Sequence, residues 1–157
     1  MNCLRDFRPV QEIFSTGVTV FSIRPVCEQD LAGIAEIQTA APEASQWNPG
    51  DYLGYECRVA EQAGRVVGFL VSRRLGEGGA EILNLAVAPD ARRQGIGRRL
   101  VDAFLAEGPG EVFLEVRESN GVARRFYERL GFKLITKRLR YYSNPVESAI
   151  VMKLLSW

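Results

Sequence analysis

The chain has no histidine and only three cysteines, Cys3, Cys27 and Cys57, among its 157 residues. Without imidazole, histidine-based zinc sites, Ser-His-Asp triads and Cys-His dyads are excluded. The cysteines are widely spaced and form no CxxC pair. This pattern fits reduced thiols of a cytoplasmic protein better than a disulfide framework or a metal site, so no bound metal is expected. Apolar runs such as VVGFLV at 66–71 are only strand-length, and no segment is expected to cross a bilayer. The start, MNCLRDFRPVQEIF, has neither an apolar h-region nor a small-residue cleavage site, and no secretory signal is read there. Any acid–base chemistry must then rest on carboxylates, tyrosine, lysine or water.

What remains is an ordinary globular composition, 46% hydrophobic and 25% charged, long enough for one core and too short for two. Residues 1–16 show no period and are set aside as an extension of unknown role; 17–157 is read as a single domain. The formal net charge is +1, unevenly spread. Up to residue 91 acidic side chains outnumber basic ones; between 92 and 140 there are twelve basic against six acidic. A basic block of this kind suits either an anionic ligand or a solvated surface. No RNP, zinc-finger or helix-turn-helix pattern accompanies the arginines, so direct nucleic-acid binding is not expected.

Alternation predicts a strand over 18–25, then a helix from Asp30 with Leu31, Ile34, Ala35 and Ile37 apolar. TAAPEASQWNPGDYLGYE reads as a loop with a short helix. CRVAEQAGRVVGFLVSRRL reads as two strands joined at Ala63-Gly64, and AEILNLAV as a further strand. A helix burying Ile96, Leu100, Val101, Phe104 and Leu105 follows and ends at GPG, 108–110. EVFLEVR (111–117) is a strand and NGVARRFYERL (120–130) a helix whose apolar face takes in Val122, Ala123 and Leu130. Gly131 is its C-terminal cap. FKLITKRLRYY and AIVMKLL close the chain as a hairpin around Ser143-Asn144-Pro145. The result is a mixed sheet with helices packed on it.

Two glycines and four arginines crowd the helix start in VAPDARRQGIGRRLVDAFL, 87–105. Glycine inside a helix costs about 1 kcal/mol against alanine, so their presence asks for a reason. A helix start leaves N–H groups unpaired at the positive end of the dipole, and glycine lets a ligand approach the backbone. The Walker pattern fails because Arg98-Arg99 stand where GK[ST] is required. The dinucleotide pattern fails because Leu100 stands where its third glycine belongs, although Glu115 lies at the spacing of a ribose-binding acid.

In EVFLEVR, Val112, Leu114 and Val116 share one face and Phe113, Glu115 and Arg117 the other. A carboxylate in an interior strand needs water or a partner. Asn120 reads as a helix N-cap. Tyr127, beside Phe126, reads either as a core tyrosine or as a functional hydroxyl.

Arg92-x-x-Gly95-x-Gly97, after a strand and opening an amphipathic helix, resembles the coenzyme A signature of the GNAT superfamily of N-acetyltransferases. LEVRESNGVARRFYERLGF (114–132) together with EILNLAVAPDARRQGIGR resembles the RimI-type ribosomal-protein alanine N-acetyltransferases within it. The likeness runs from about Glu81 to Leu154. It implies an α/β GNAT fold: a central, mostly antiparallel twisted sheet of about seven strands flanked by about four helices. It also implies acetyl-CoA as acetyl donor. Backbone groups of Leu85, Ala86 and Val87 would hold the pantetheine arm and acetyl carbonyl. Arg92, Arg93, Gln94, Gly95, Ile96, Gly97 and Arg98 would cradle the diphosphate, and Asn120 would be a further coenzyme A contact. Glu115 would be the general base and Tyr127 the general acid. Trp47, Tyr141 and Tyr142 would meet the acceptor, a protein N-terminus, in the first instance alanine of a small-subunit ribosomal protein. The segment AAPEASQWNPGDYL departs from the family's phenylalanine-proline-tryptophan pattern and keeps only Trp47 as an anchor. A lysine side chain or small-molecule amine is therefore an alternative acceptor. A non-catalytic acetyl-CoA-binding module is a third reading, disfavoured because it needs neither Glu115 nor Tyr127.

Overall fold

The computed structural model describes residues 20–155; the expected extension, 1–16, and the domain start at 17 lie outside the described residues, as does Cys3. Seven strands form one sheet in the order β1-β2-β3-β4-β5-β7-β6. They are β1 (Ser22–Pro25), β2 (Glu56–Gln62), β3 (Arg65–Arg74), β4 (Ala80–Val87), β5 (Glu111–Arg117), β6 (Lys133–Tyr142) and β7 (Glu147–Leu155). Pairs β1–β2, β2–β3, β5–β7 and β6–β7 are antiparallel, whereas β4 and β5 run parallel. The helices are α1 (Leu31–Ala40), α2 (Ile96–Leu105) and α3 (Gly121–Arg129). A fourth helix, expected after α1, is a 3₁₀ turn, Pro49–Gly54. Proline at its first position and Asn48, whose Oδ1 accepts from Gly50 N at 3.2 Å, set its start.

The described residues form two compact units. The first runs through Ser72 and takes in Asn84–Phe104. Its core is β3, where Val67, Phe69, Leu70 and Val71 are buried, as a strand covered on both faces requires. The β2–β3 turn places Ala63 at φ 51 and Gly64 at φ 75, the paired left-handed conformation that matches hairpin twist. Helix α2 buries Ile96, Leu100, Val101 and Phe104, each worth about 1.5–3 kcal/mol of transfer free energy. Leu105, expected on the same face, is only half-buried. Gly68 sets how closely α2 approaches: an added Cβ would lie 3.1 Å from Ile96 Cγ2 and 3.2 Å from the Ala86 carbonyl. In this unit Cys57 is a free, buried thiol, but Cys27 is disulfide-bonded, which corrects the expectation of three reduced thiols.

The second unit comprises Arg73–Leu83 and the chain from Leu105 onward. In β5 the alternation holds: Val112, Leu114 and Val116 are buried, and Phe113, Glu115 and Arg117 lie half-exposed on the other face. Its parallel ladder with β4 spans Ala80↔Val112 to Ile82↔Leu114. Asn120 caps α3, its Oδ1 accepting from Ala123 N at 3.1 Å. The apolar face expected for α3 needs correction at Val122, which is 74% exposed. Ala123, Tyr127 and Leu130 follow one stripe at four- and three-residue spacing, and Val122 lies about 140° round the helix from Tyr127. The C-terminal end of α3 turns through Gly131 at φ 97, as a left-handed cap requires.

Candidate active site

In the first unit β4 ends at Val87, and the next residue, Ala88, donates its N–H to the Val67 carbonyl at 2.7 Å. After the short turn Pro89–Ala91, Arg93 at φ 65 and Gly95 at φ 78 bend the chain into α2. The first helical hydrogen bond runs from Arg99 N to Gly95 O, 3.0 Å. The N–H groups of Ile96, Gly97 and Arg98 are thus the unpaired donors of this helix start. A Cβ built at Gly95 meets nothing within 4 Å. Three aligned donors, an open glycine and the positive end of a ten-residue helix fit a diphosphate. The seven residues expected here run from the turn at Arg92 into the first turn of α2, and their side chains divide. Arg92 binds Glu43 at 3.0 Å and the Val87 carbonyl at 3.3 Å. Gln94 accepts from Gln62 at 2.9 Å, and Arg98 sits 3.7 Å from Asp102 one turn along. The Ile96 side chain is core, leaving its N–H as the functional group.

Sequence reasoning missed a buried polar cluster in the same unit. The Tyr52 hydroxyl donates to Gln38 Oε1 and accepts from Asn84 Nδ2 at 2.9 Å. Asn84 Nδ2 also donates to the Ser45 carbonyl at 2.8 Å. Gln38 Nε2 donates to the Trp47 carbonyl at 2.9 Å, and Trp47 N returns a bond to Gln38 Oε1 at 3.4 Å. Three side chains thereby tie α1, the loop after it and β4, and position the indole of Trp47. The only signals were polar residues at apolar positions: Asn84 inside AEILNLAV and Gln38 inside α1.

In the second unit Glu115 projects from β5 with its side chain 15% exposed. Its Oε1 lies 3.1 Å from Arg138 Nη1 of β6. Interaction with the same carboxylate pushes the Tyr141 phenol above its ordinary range. Two residues along the same face of β5, the Arg117 guanidinium sits 4.3 Å from the centre of the Tyr142 ring. Adjacent strand residues ordinarily face opposite sides. Here both tyrosines reach one face of β5, because β6 shifts register between Arg138 and Tyr142, with Arg140 at φ 52. Their rings meet edge-on, 5.0 Å apart. Tyr127 is 6% exposed and packs between Phe126 and Phe132, 5.1 and 5.4 Å away. Burial pushes its hydroxyl well above the usual tyrosine range, so it is protonated at neutral pH. Asn120 spends its Oδ1 on the α3 cap, which leaves its amide N–H groups for another acceptor.

In four groups burial is the leading cause of an upward shift. Burial pushes Cys57, Tyr52 and Tyr142 up to about 12, and Tyr127 upward too. Each stays neutral in the folded chain where the unfolded chain ionises, above about 8.5 for a thiol and about 10 for a phenol. Their stability contribution is complete below those values and is lost as pH rises, at about 1.4 kcal/mol per pH unit per group. Thermal melts should be flat from pH 6 to 8 and fall steeply above about pH 10. Cys57→Ala should remove the earliest part of the fall, between about pH 8.5 and 10.

The first unit carries a glycine-arginine turn opening a helix, and the second a sheltered carboxylate on an interior strand. The chain belongs to the acetyltransferase (GNAT) family, whose sequence profile matches residues 24–132. Its likeness within that family is to RimI-type enzymes. It is 32% identical over 145 residues to the [ribosomal protein bS18]-alanine N-acetyltransferase of Haemophilus ducreyi, spanning 84% of this chain and 98% of that one. The crystal structure of the ribosomal-protein-S18-alanine N-acetyltransferase from Escherichia coli matches with a TM-score of 0.75 at 30% identity, over 87% of this chain and 94% of that one. Ard1 from Thermoplasma volcanium matches with a TM-score of 0.80 at 31% identity, over 87% and 98%. No described helix is long and apolar enough to cross a membrane.

Proposed function

We propose that the protein transfers the acetyl group of acetyl-CoA to the N-terminal α-amine of a protein, alanine of a small-subunit ribosomal protein in the first instance, in the cytoplasm. The observation that carries the reading is the Glu115 carboxylate, sheltered on an interior strand and bracketed by Arg138 and Tyr141. The named activity of the Haemophilus ducreyi relative, matched over nearly its whole length, supports it.

Acetyl-CoA supplies an activated thioester; the rest falls to the chain. The N–H groups from Arg93 to Arg98 hold the diphosphate. Leu85, Ala86 and Val87 offer backbone groups to the pantetheine arm and polarise the acetyl carbonyl, and Asn120 adds an amide donor. An amine attacks only when neutral. An α-amine has a pKa of about 7.7–8.0 against about 10.4 for lysine, a difference of roughly 3.4 kcal/mol in deprotonation. Glu115, directly or through one water, removes the ammonium proton. As the C–N bond forms and the C–S bond breaks, Tyr127 gives its hydroxyl proton to the departing sulfur, and the second proton shed by the nitrogen restores Tyr127 through solvent. Trp47, Tyr141 and Tyr142 bear the acceptor chain.

The test is incubation with acetyl-CoA and two peptides, one with free N-terminal alanine and no lysine, the other blocked at its N-terminus with one lysine. Mass gain with thiol release on the alanine peptide alone is the expected result. Transfer to the lysine peptide alone would move the acceptor to a side-chain amine, and coenzyme A binding without transfer to either would reduce the protein to a binding module.

A further inference from the structure

Beside Trp47 the first unit has an open depression of about 600 Å³ lined by Trp47, Gly50, Asp51, Gly54 and Tyr55. We propose that it is a subsite for a cationic side chain, lysine or arginine, lying a few residues into the acceptor chain. The proposal rests on the reading of the acceptor as a protein N-terminus.

The depression has aromatic walls and an anionic rim. The Trp47 ring stacks on Tyr52 at 5.6 Å and meets Tyr55 edge-on at 5.5 Å. Its main chain is held at both N and O by Gln38, so the indole is preorganised. Asp51 is exposed and makes no ion pair among the described residues. The two glycines keep the space clear. A Cβ at Gly54 would meet nothing within 4 Å, and one at Gly50 only Asn48 Oδ1 at 3.6 Å.

The chain segment that carries it has charge of one sign. Between Arg24 and Arg58 the chain has six carboxylates and not one lysine or arginine. Within the segment Asp30 pairs with Arg24 and Glu43 with Arg92, whereas Asp51 at the depression makes no ion pair among the described residues. The surplus attracts cations and repels an acidic acceptor. A cation over an aromatic face, with a carboxylate alongside, gains from both. A neutral side chain of the same length gains from neither.

The experiment uses peptides with N-terminal alanine, no lysine, and arginine or its neutral isostere citrulline at the second, third or fourth position in turn. At one of these positions arginine should raise kcat/KM about 5–30-fold over citrulline. Asp51→Asn should bring the ratio close to one. Asp51→Lys should turn the preference toward a glutamate-bearing peptide. Gly54→Trp, whose Cβ meets nothing within 4 Å, should abolish discrimination by filling the depression. A ratio near one at every position in the unaltered protein, or a ratio unmoved by Asp51→Asn and Gly54→Trp, overturns the subsite. If no peptide is acetylated, the acceptor reading fails, and the subsite is then decided by binding. Saturable quenching of Trp47 fluorescence on a Trp157→Phe background, stronger with arginine than with citrulline, sustains it; equal quenching or none overturns it.

Discussion

Glu115→Gln is expected to lower kcat/KM for an N-terminal alanine peptide by about 10²–10⁴-fold at pH 7, the usual reach of a positioned general base. Glutamine keeps the length and an acceptor oxygen for Arg138 and Tyr141, which hold the carboxylate at this position, so the fold and the affinity for acetyl-CoA should persist. The deficit should shrink with rising pH. An α-amine loses its proton unaided above about pH 8, and a variant without its base gains more from that than the parent does. Rate profiles from pH 6.5 to 9.5 measure this directly. A deficit constant across the range would mean that Glu115 orients the acceptor rather than deprotonates it, and full activity at pH 7 would remove it from the mechanism.

Tyr127→Phe deletes one hydroxyl from a ring already packed between Phe126 and Phe132. The melting temperature should hardly change. Turnover should fall about 10²–10³-fold. Burial makes Tyr127 a weaker acid than an ordinary phenol, and weaker still than a thiol near ~8.5. Its help is therefore greatest when charge on the departing sulfur is largest. An acetyl thioester with a more acidic thiol needs that help less, so the loss should be much smaller with such a donor. An equal loss with both donors would assign Tyr127 to packing or positioning instead.

Strands and turns were legible where a local rule governs them. Period-two alternation fixes the faces of β5, and Ala63-Gly64 and Gly131 mark conformations that few other sequences favour. Helix faces were read less well: Val122 and Leu105 are apolar and close in sequence to buried positions, yet their angle on the helix turns them outward. Asn120, Glu115 and the residues 92–98 fell where their local pattern put them. What could not be read were pairings across the chain. Tyr52 finds Gln38 and Asn84 at separations of 14 and 32 residues, and Arg138 meets Glu115 across β7, the strand between theirs. No periodicity encodes such meetings. The common side of Tyr141 and Tyr142 escaped for the same reason, since a bulge cancels the alternation that would part them.

The turn into α2 makes its donors from main-chain N–H groups, and the side chains of Arg92, Gln94 and Ile96 are occupied within the protein. A mutational scan across 92–98 should therefore look permissive at the polar positions and unforgiving at Ile96, which is core, and at Gly95, where φ of 78 excludes branched side chains. Insertion or deletion of a single residue should be far more harmful than any substitution, because it rotates every donor of the helix start by about 100°. Length, rather than spelling, is what this segment has to preserve as the sequence drifts.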